Sequence, residues 1–224
     1  MSQNRSTNPN RNNANKQNVA GLEVRLVAAN LLTHVLDNHA NLDDLTDSQR
    51  GFADFLKLDL RDQGLAKAIV LTTLRKKTRI DAILKNCWDR KPPQKARFLM
   101  HVLETAAAQI LFMDVPQSAA VNLAVTAIRK DKRTTRFASF TNAVLRKLTR
   151  EAETLLARSA TISPFPQWMH KQLSKDFGKE KVSLSGATIA LEPVVDLQGE
   201  AGALAAIENT ISLPTGARRL TVST

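Results

Sequence analysis

Residues 94–113, QKARFLMHVLETAAAQILFM, are the longest apolar segment of the chain. Apolar side chains recur in it at intervals typical of a helix: Phe98, Leu99, Val102, Leu103, Ala106, Ile110 and Leu111. A half-buried strand would instead alternate apolar and polar residues strictly. The stretch from Thr105 to Ala108 is rich in alanine and offers a flat surface for close contact. The segment therefore predicts a long helix packed against another helix.

The same helical spacing continues on both sides of this segment. It predicts six further helices, at residues 22–38, 52–56, 65–74, 80–88, 117–128 and 135–148. Asp59 and Thr78 stand where N-caps are expected, and Pro92-Pro93 and Pro116 separate successive helices. No internal repeat of fixed period is found, which disfavours a solenoid. About seven helices joined by short turns predict an all-α helical bundle over residues 21–158.

The sequence changes character after residue 158. Ser163-Pro164-Phe165-Pro166 breaks the helical pattern, and residues 167–177 then predict a short amphipathic helix that Gly178 ends. Three further elements are predicted in order: a strand over residues 188–197, a helix over 200–209 and a strand over 218–223. This order indicates a β-α-β unit. Residues 159–224 are therefore expected to form a small α+β domain with an incomplete sheet.

Charge is distributed unevenly along the chain, which has 32 Lys and Arg residues against 21 Asp and Glu residues and a formal net charge of +11. Residues 1–20 contain seven Asn and no acidic residue, so they are predicted to be a disordered basic tail. Residues 75–97 carry nine basic residues against two acidic ones, and residues 129–150 carry eight against one. Residues 21–74 are net acidic. This concentration favours a polyanion-binding site over ordinary solvated helix faces.

Several classes of function are disfavoured by the residues that the sequence lacks. Cys87 is the single cysteine, which excludes an intramolecular disulfide framework and cysteine-based zinc sites and favours a reducing compartment. Its position beside Trp88 favours a buried, inert thiol over a nucleophile. No glycine-rich phosphate loop occurs and the four histidines are scattered, so no cofactor and no metal site are predicted. Without an apolar signal or spanning run, the chain is predicted to be cytoplasmic and to have no membrane partner.

The predicted RNA-binding side chains come from the two basic stretches and are expected to be exposed. They are Arg75, Lys76, Lys77, Arg79, Arg129, Lys130, Lys132, Arg133, Arg136 and Arg146. Lysine and arginine bind phosphates, the sequence-independent part of nucleic-acid binding. Phe137 and Phe140 interleave with these arginines, but their helical spacing predicts core positions. Lys77 stands four residues before Asp81, the spacing of a helical ion pair, and no residue is predicted to be catalytic.

Four segments resemble, in order and spacing, the NusB-like RNA-binding domain. They are Thr72-Thr73-Leu74-Arg75, Ile80-Asp81-x-x-Leu84, Asp114-Val115-Pro116 with Ala119-Ala120-Val121-Asn122, and Phe140-Thr141-Asn142-Ala143-Val144-Leu145-Arg146. The last segment is the most specific. The resemblance covers residues 22–156 and implies a NusB-like helical bundle that binds RNA. The NusB/RsmB family comprises the transcription antitermination factor NusB and the 16S rRNA cytosine-5 methyltransferase RsmB, which has this domain at its N-terminus.

The remaining residues distinguish the two branches of this family. Phe165-Pro166-x-Trp168 and Leu173-x-x-x-Phe177-Gly178 resemble the start of the small domain that follows the NusB-like domain in the methyltransferase. That enzyme requires a glycine-rich S-adenosylmethionine loop and two motif cysteines, which this sequence does not contain. The resemblance implies a non-catalytic N-terminal portion of such a methyltransferase, which binds 16S rRNA for a separate methyltransferase domain. One alternative is an antitermination factor with a ribosomal-protein partner. Another is a bundle that binds only protein, with its basic side chains paired inside the fold.

Overall fold

The computed structural model of the protein describes residues 10–90 and 92–221, and for residues 10–20 and Ala201 it describes the backbone alone. The chain has two compact units, with the boundary between Gln167 and Trp168. The disordered tail predicted for residues 1–20 stays a prediction. Residues 1–9 lie outside the described residues, and no side chain of residues 10–20 is described.

The first unit is helical. Its described elements are α1 (Asn10–Asp37), α2 (Leu42–Leu45), α3 (Ala53–Leu56), α4 (Leu60–Arg75), α5 (Lys77–Lys85), α6 (Arg97–Phe112), α7 (Gln117–Lys130), a 3₁₀ helix η1 (Thr135–Phe137), α8 (Ala138–Arg150) and α9 (Ala152–Arg158). Seven of these described helices have seven or more residues. The predicted all-α bundle of about seven helices is therefore confirmed.

Helix α6 is the central helix of this unit. It packs against α1, α4, α5, α7 and α8, and every residue from His101 to Ile110 is buried. Small residues allow neighbouring helices to approach closely, and Ala106, Ala107 and Ala108 have at most 2% of their surface exposed. The predicted contact surface in this segment is therefore confirmed.

Two hydrophobic cores share helix α1. Leu22 and Ala29 belong to a core with α5, α6, α7 and α8, whereas Val27 and Leu31 belong to a core with α3 and α4. These two groups of residues lie on different faces of α1 because of their helical spacing. One helix therefore packs into both cores. Phe55 of α3 is 3% exposed in the second core, which explains why the short predicted helix forms there.

Local hydrogen bonds define where the helices begin. The Asp59 carboxylate accepts from the backbone N–H of Asp62 over 2.7 Å, which confirms the predicted N-cap of α4. The predicted cap at Thr78 is wrong, because α5 begins one residue earlier and the Thr78 hydroxyl donates to the Ser163 carbonyl over 2.8 Å. Lys76 alone separates α4 from α5, so backbone bonds continue across the junction without a side-chain cap.

Residues 159–166, here termed the strap, follow α9 and contact α5. Arg79 donates through Nε to Ser159 Oγ over 2.9 Å and through Nη2 to the Leu156 carbonyl over 2.6 Å. Phe165 is 9% exposed. The strap therefore belongs to the first compact unit, whereas the sequence-based boundary precedes it. The two boundaries differ because residues 159–166 leave the helical pattern but still bond to Thr78 and Arg79 of α5.

The second unit is a small α+β domain, as predicted. Its described elements are α10 (Gln167–Phe177), α11 (Lys179–Ile189), β1 (Asp196–Leu197), α12 (Ala201–Ala205), β2 (Thr210–Ser212) and β3 (Arg218–Leu220). Strand β3 is central and pairs antiparallel with both others. Leu197 lies opposite Arg218, and Ile211 lies opposite Arg219.

Two details predicted for this domain are wrong. The strand expected over residues 188–197 is reduced to Asp196–Leu197. Helix α11 continues to Ile189, with the Thr188 hydroxyl bonded to the Leu184 carbonyl, and residues 190–195 form neither helix nor strand. The described strands are all antiparallel, whereas a β-α-β crossover joins parallel strands. The helix stop at Gly178 is confirmed, since its φ of 85° is a conformation that glycine adopts readily.

Candidate nucleic-acid interface

The second basic stretch occupies one region of the bundle, at the C-terminal end of α7, in η1 and on α8. All six predicted RNA-binding side chains of this region are exposed: Arg129, Lys130, Lys132, Arg133, Arg136 and Arg146. These six residues are termed the α7–α8 basic face. Arg129 and Lys130 occupy the last turn of α7, where the helix dipole favours cations. Helix α8 buries Val144, Leu145 and Leu148 on its other side, which leaves Arg146 in solvent.

A groove of about 720 Å³ runs between α7 and α8. It is lined by Arg129 and Arg146 and by the side chains of Asn122 and Asn142. Arg146 Nε donates to Asn142 Oδ1 over 3.0 Å, which orients the guanidinium. Arg150 lines an adjoining depression with Asn122 and Arg146. Guanidinium and amide groups in one groove provide donors for phosphates and for base edges.

Two further arginines of the basic face have fixed orientations. Arg133 donates through Nε and Nη2 to the two carboxylate oxygens of Asp131, over 3.2 and 3.0 Å, while its side chain stays 85% exposed. The Arg133 guanidinium holds the pKa of the Asp131 carboxyl below its usual value. Arg136 Cζ lies 4.8 Å from the centroid of the Phe137 ring. Both guanidinium groups therefore lose less conformational freedom when they bind.

The first predicted basic set lies around the junction of α4 and α5 and consists of Arg75, Lys76, Lys77 and Arg79. Its side chains are half-buried, which differs from the exposed helix face predicted for Arg75, Lys76 and Arg79. Lys76 Nζ and Arg79 Cζ lie 5.6 and 5.5 Å from the centroid of the Phe112 ring. Burial, and then repulsion from Arg79 and Arg75, lowers the pKa of Lys76. These cations cover an aromatic ring of α6 with their aliphatic stems and charged heads.

Lys77 of the same set pairs with carboxylates on two helices. Its Nζ is 2.6 Å from Asp81 Oδ2, the predicted ion pair, and 3.3 Å from Glu104 Oε1 on α6. Burial opposes the charged amine, but Glu104 and Asp81 outweigh it and raise the pKa of Lys77. The Glu104 side chain is 5% exposed, so Lys77 compensates a buried negative charge.

The ion pairs continue through α6 to α1. His101 Nδ1 lies 3.0 Å from Glu104 Oε2, and His101 Nε2 lies 3.0 Å from Asp37 Oδ2. Both ring nitrogens can donate only when the imidazole is protonated. Burial opposes this charge, but Glu104 and Asp37 outweigh it and raise the pKa of His101. Six groups of alternating sign form what is termed the ionic chain: Asp81, Lys77, Glu104, His101, Asp37 and Arg97.

The structure places Arg79 of the first basic set away from Arg133 and Arg136 of the second. Arg79 lies on Phe112 at the C-terminal end of α6, whereas Arg133 and Arg136 line a cavity with Phe98 at its N-terminal end. At a rise of 1.5 Å per residue, these two ends of α6 are about 21 Å apart. The sequence-based set omitted Asn122 and Asn142 of the groove, because amides carry no charge signal and helix packing creates the groove. It also omitted Arg150 of the adjoining depression.

The described residues offer few groups for other chemistries. Cys87 is buried, and burial raises the pKa of its thiol to about 11. Residues 10–90 and 92–221 contain no cluster of three or more His, Cys, Asp or Glu side chains that could hold a metal ion. Among the same residues, no helix has both the length and the apolar character that a membrane crossing requires. The prediction of an inert thiol agrees with the surroundings of Cys87.

The fold and the basic face define a class: an all-α bundle around one central helix, with exposed cations on its last long helices. The model of the NusB family matches residues 22–150, which is more than half of the chain. The chain therefore belongs to the NusB family.

Curated relatives of this chain are named as ribosomal RNA methyltransferases. Ribosomal RNA small subunit methyltransferase B of Xanthomonas campestris pv. campestris is 31% identical over 176 residues, which cover 78% of this chain and 38% of the relative. The protein of that name from Pasteurella multocida is 29% identical over 168 residues, which cover 74% and 36%. Probable ribosomal RNA small subunit methyltransferase B of Bacillus subtilis is 30% identical over 132 residues, covering 55% and 29%. The chain thus matches well under half the length of each relative.

Proposed function

We propose that this chain is an RNA-binding module of the rRNA methyltransferase type. Its α7–α8 basic face holds structured RNA, 16S rRNA in this proposal, for a separate methyltransferase domain. The exposure of six cations in one region carries the proposal, because such a surface attracts phosphates independently of sequence. Within the described residues, Arg129, Lys130 and Lys132 form no ion pair with an acidic side chain. Their charge is therefore available to a polyanion.

The extent of similarity supports the methyltransferase branch. A continuous match over 78% of the chain extends past residue 150, where the NusB family match ends. Methylation at cytosine C5 in the resembling enzymes requires covalent attack by a cysteine thiolate. Cys87, with a pKa raised to about 11 by burial, is unsuited to that attack. We therefore assign binding to this chain, with no cofactor of its own, and methyl transfer to a separate domain in the same cytoplasmic compartment.

A second candidate is an antitermination factor that acts on RNA with a ribosomal-protein partner. It rests on the family match over residues 22–150, which both branches share. A mixture of small-subunit ribosomal proteins distinguishes the two functions. If that mixture is required for tight RNA binding, the antitermination function is favoured. If the chain binds 16S rRNA hairpins without it, the methyltransferase-type module is favoured.

The proposal is tested by fluorescence anisotropy with labelled 16S rRNA hairpins. A variant with Arg129, Lys130, Lys132 and Arg136 each changed to Glu should lose about a hundredfold in affinity, with a log–log salt slope flatter by about three units. The matched control changes Lys171, Lys175, Lys179 and Lys181 to Glu, four exposed lysines of the second unit. The control should bind almost as wild type does. Equal losses in both variants would show that only the total charge matters and would contradict the proposal.

A further inference from the structure

We propose that a pocket beside the basic face receives one unpaired nucleotide of the bound RNA. The inference rests on the proposed function, because the nucleotide belongs to that RNA. The pocket has a volume of about 420 Å³ and lies between α1, the turn before α6, and η1. Six of the side chains that line it carry the argument: Asn30, Thr33, Lys95, Phe98, Arg136 and Phe137. Its volume falls within the range of about 300–1,000 Å³ typical of small-ligand pockets.

The charges at the pocket suit one phosphodiester group. Lys95 and Arg136 are exposed, and neither forms an ion pair with an acidic side chain of the described residues. Arg97 and Arg133 also line the pocket, but each is bonded to an aspartate carboxylate. Lys95 and Arg136 therefore provide the uncompensated positive charge, and they come from two segments that line one cavity, the turn before α6 and η1. A phosphate bound between them would fix the backbone of the nucleotide at the pocket entrance.

The apolar part of the pocket suits a base. Phe98 and Phe137 are half-buried and line the cavity, and the Arg136 guanidinium lies over the Phe137 ring. Unstacked bases bind proteins by stacking on aromatic rings and on guanidinium planes. A base that enters here exchanges water contact for these flat surfaces. The pocket therefore has both parts that a nucleotide requires, a cationic entrance and an aromatic wall.

The polar groups inside the pocket explain why the nucleotide must be unpaired. Asn30 and Thr33 lie one turn apart on α1 and are both half-buried. The Thr33 hydroxyl donates to the Ala29 carbonyl over 3.0 Å, so its oxygen remains available as an acceptor. The Asn30 amide offers a donor and an acceptor, the pattern that a base edge can match. In a duplex this edge is already paired, so the pocket selects single-stranded loops and bulges.

The test uses the full chain and two RNA probes of equal length: a hairpin with a loop that carries 2-aminopurine, and a fully paired duplex. Asn30→Leu removes the amide, and Phe98→Leu removes the ring. Each variant should weaken hairpin binding by about tenfold and leave duplex binding unchanged. Asn86→Leu, at an exposed amide outside the pocket, is the matched control. The wild type should quench 2-aminopurine at one loop position, and Phe98→Leu should lose that quenching.

The outcomes separate this inference from the proposed function. If the wild type binds no RNA, the proposed function itself fails. If the wild type binds the hairpin and duplex equally, or if Asn30→Leu binds the hairpin as wild type does, only the pocket is overturned. Phe98 packs beside the core, so thermal melting checks its variant and Asn30→Leu provides an independent result. Free AMP or UMP that competes at the concentration of the hairpin would indicate a mononucleotide site and would also overturn the inference.

Discussion

The basic stretches at residues 75–97 and 129–150 have the same net charge in sequence, but their cations have different partners. In the first, Lys77 contacts Glu104 and Arg79 contacts Ser159, so side chains of the fold bind the charge. In the second, Arg129 and its neighbours are exposed. The packing around a cation, and not the local charge count, therefore decides whether that cation is accessible to a phosphate.

The difference originates in the position of each stretch relative to α6. The junction of α4 and α5 packs against the middle and the C-terminal end of α6, where Glu104 and Phe112 lie. The α7–α8 basic face follows a helix end and contacts solvent on its cationic side. The cations at the α4–α5 junction therefore stabilise the bundle, whereas the α7–α8 basic face, together with Lys95 of the first stretch, is assigned to binding. Four predictions test this division of roles.

Lys77→Met is expected to have the largest effect, a loss of stability. It leaves Glu104 buried without its cation, and breaking a buried pair costs about 3–5 kcal/mol, which the partial exposure of Lys77 reduces to about 2 kcal/mol. Urea unfolding followed by circular dichroism measures the change. Lys85→Met, at an exposed lysine of the same helix, is the control and should cost less than about 0.5 kcal/mol. Equal stabilities of the two variants would contradict the structural role assigned to Lys77.

Neutralising a pair of cations in each stretch compares their roles in binding directly. Arg129→Gln with Lys130→Gln should weaken binding to a 16S rRNA hairpin by about tenfold near 0.1 M salt, because two phosphate contacts are lost. Arg75→Gln with Lys76→Gln should change it by less than about twofold, since Lys76 lies against Phe112. Anisotropy titrations measure both affinities. Equal losses of RNA affinity in the two double variants would contradict the different roles assigned to the two stretches.

Arg79→Lys tests whether the guanidinium itself is required. The variant keeps the charge but loses the fork that bonds Ser159 and the Leu156 carbonyl, which should cost about 1 kcal/mol. For a chain of this size, that loss lowers the melting temperature by about 2–4 °C. Arg61→Lys, at an exposed arginine of α4, should leave the melting temperature unchanged. RNA affinity should stay at the wild-type value in both variants. A loss of RNA affinity in Arg79→Lys alone would indicate that Arg79 contacts RNA directly.

The smallest predicted effect is a dependence of the folding stability on pH that comes from His101. The prediction concerns its direction: stability decreases as the pH rises. The folded-state pKa of His101 is raised above its ordinary value of 6.5 by Glu104 and Asp37, against the effect of burial. Its stabilising contribution is therefore complete below pH 6.5 and is lost as the pH rises through the raised pKa. His101→Gln should flatten the dependence of the urea midpoint on pH, whereas His39→Asn, at an exposed histidine, should preserve it. An unchanged profile in His101→Gln would contradict the charged state of the ring.

The helices could be predicted from the sequence because their signals are local. Asp59 is recognisable as a cap, and the apolar spacing of residues 94–113 matches the buried face of α6. The pair of Lys77 with Asp81 was equally accessible, since it lies within one helix. The pairs that separate the two basic stretches join residues far apart in sequence, as between Arg79 and Ser159, which are 80 residues apart. Only the packed bundle brings such groups together.

The candidate site likewise contains some residues that the sequence predicts and others that only the folded structure brings together. The exposed cations from Arg129 to Arg136 could be predicted because they follow the apolar residues of α7 and precede those of α8. The pocket could not, since Asn30 and Phe98 come from different helices and neither carries a charge. The strand predicted over residues 188–197 failed for a related reason. Its first residues, Thr188 and Ile189, also suit the last turn of α11, and sequence spacing alone does not decide between the two.

The strap has a practical consequence for any shortened form of this protein. A chain that stops at residue 158 loses the Ser163 carbonyl and the Ser159 hydroxyl, which accept from Thr78 and Arg79, and it uncovers the surface beneath Phe165. A chain that stops at residue 167 keeps every one of these partners. Limited proteolysis is therefore expected to leave a resistant fragment that includes the strap. The acceptors of two α5 side chains, and not the end of the last helix, therefore set where this resistant fragment is expected to end.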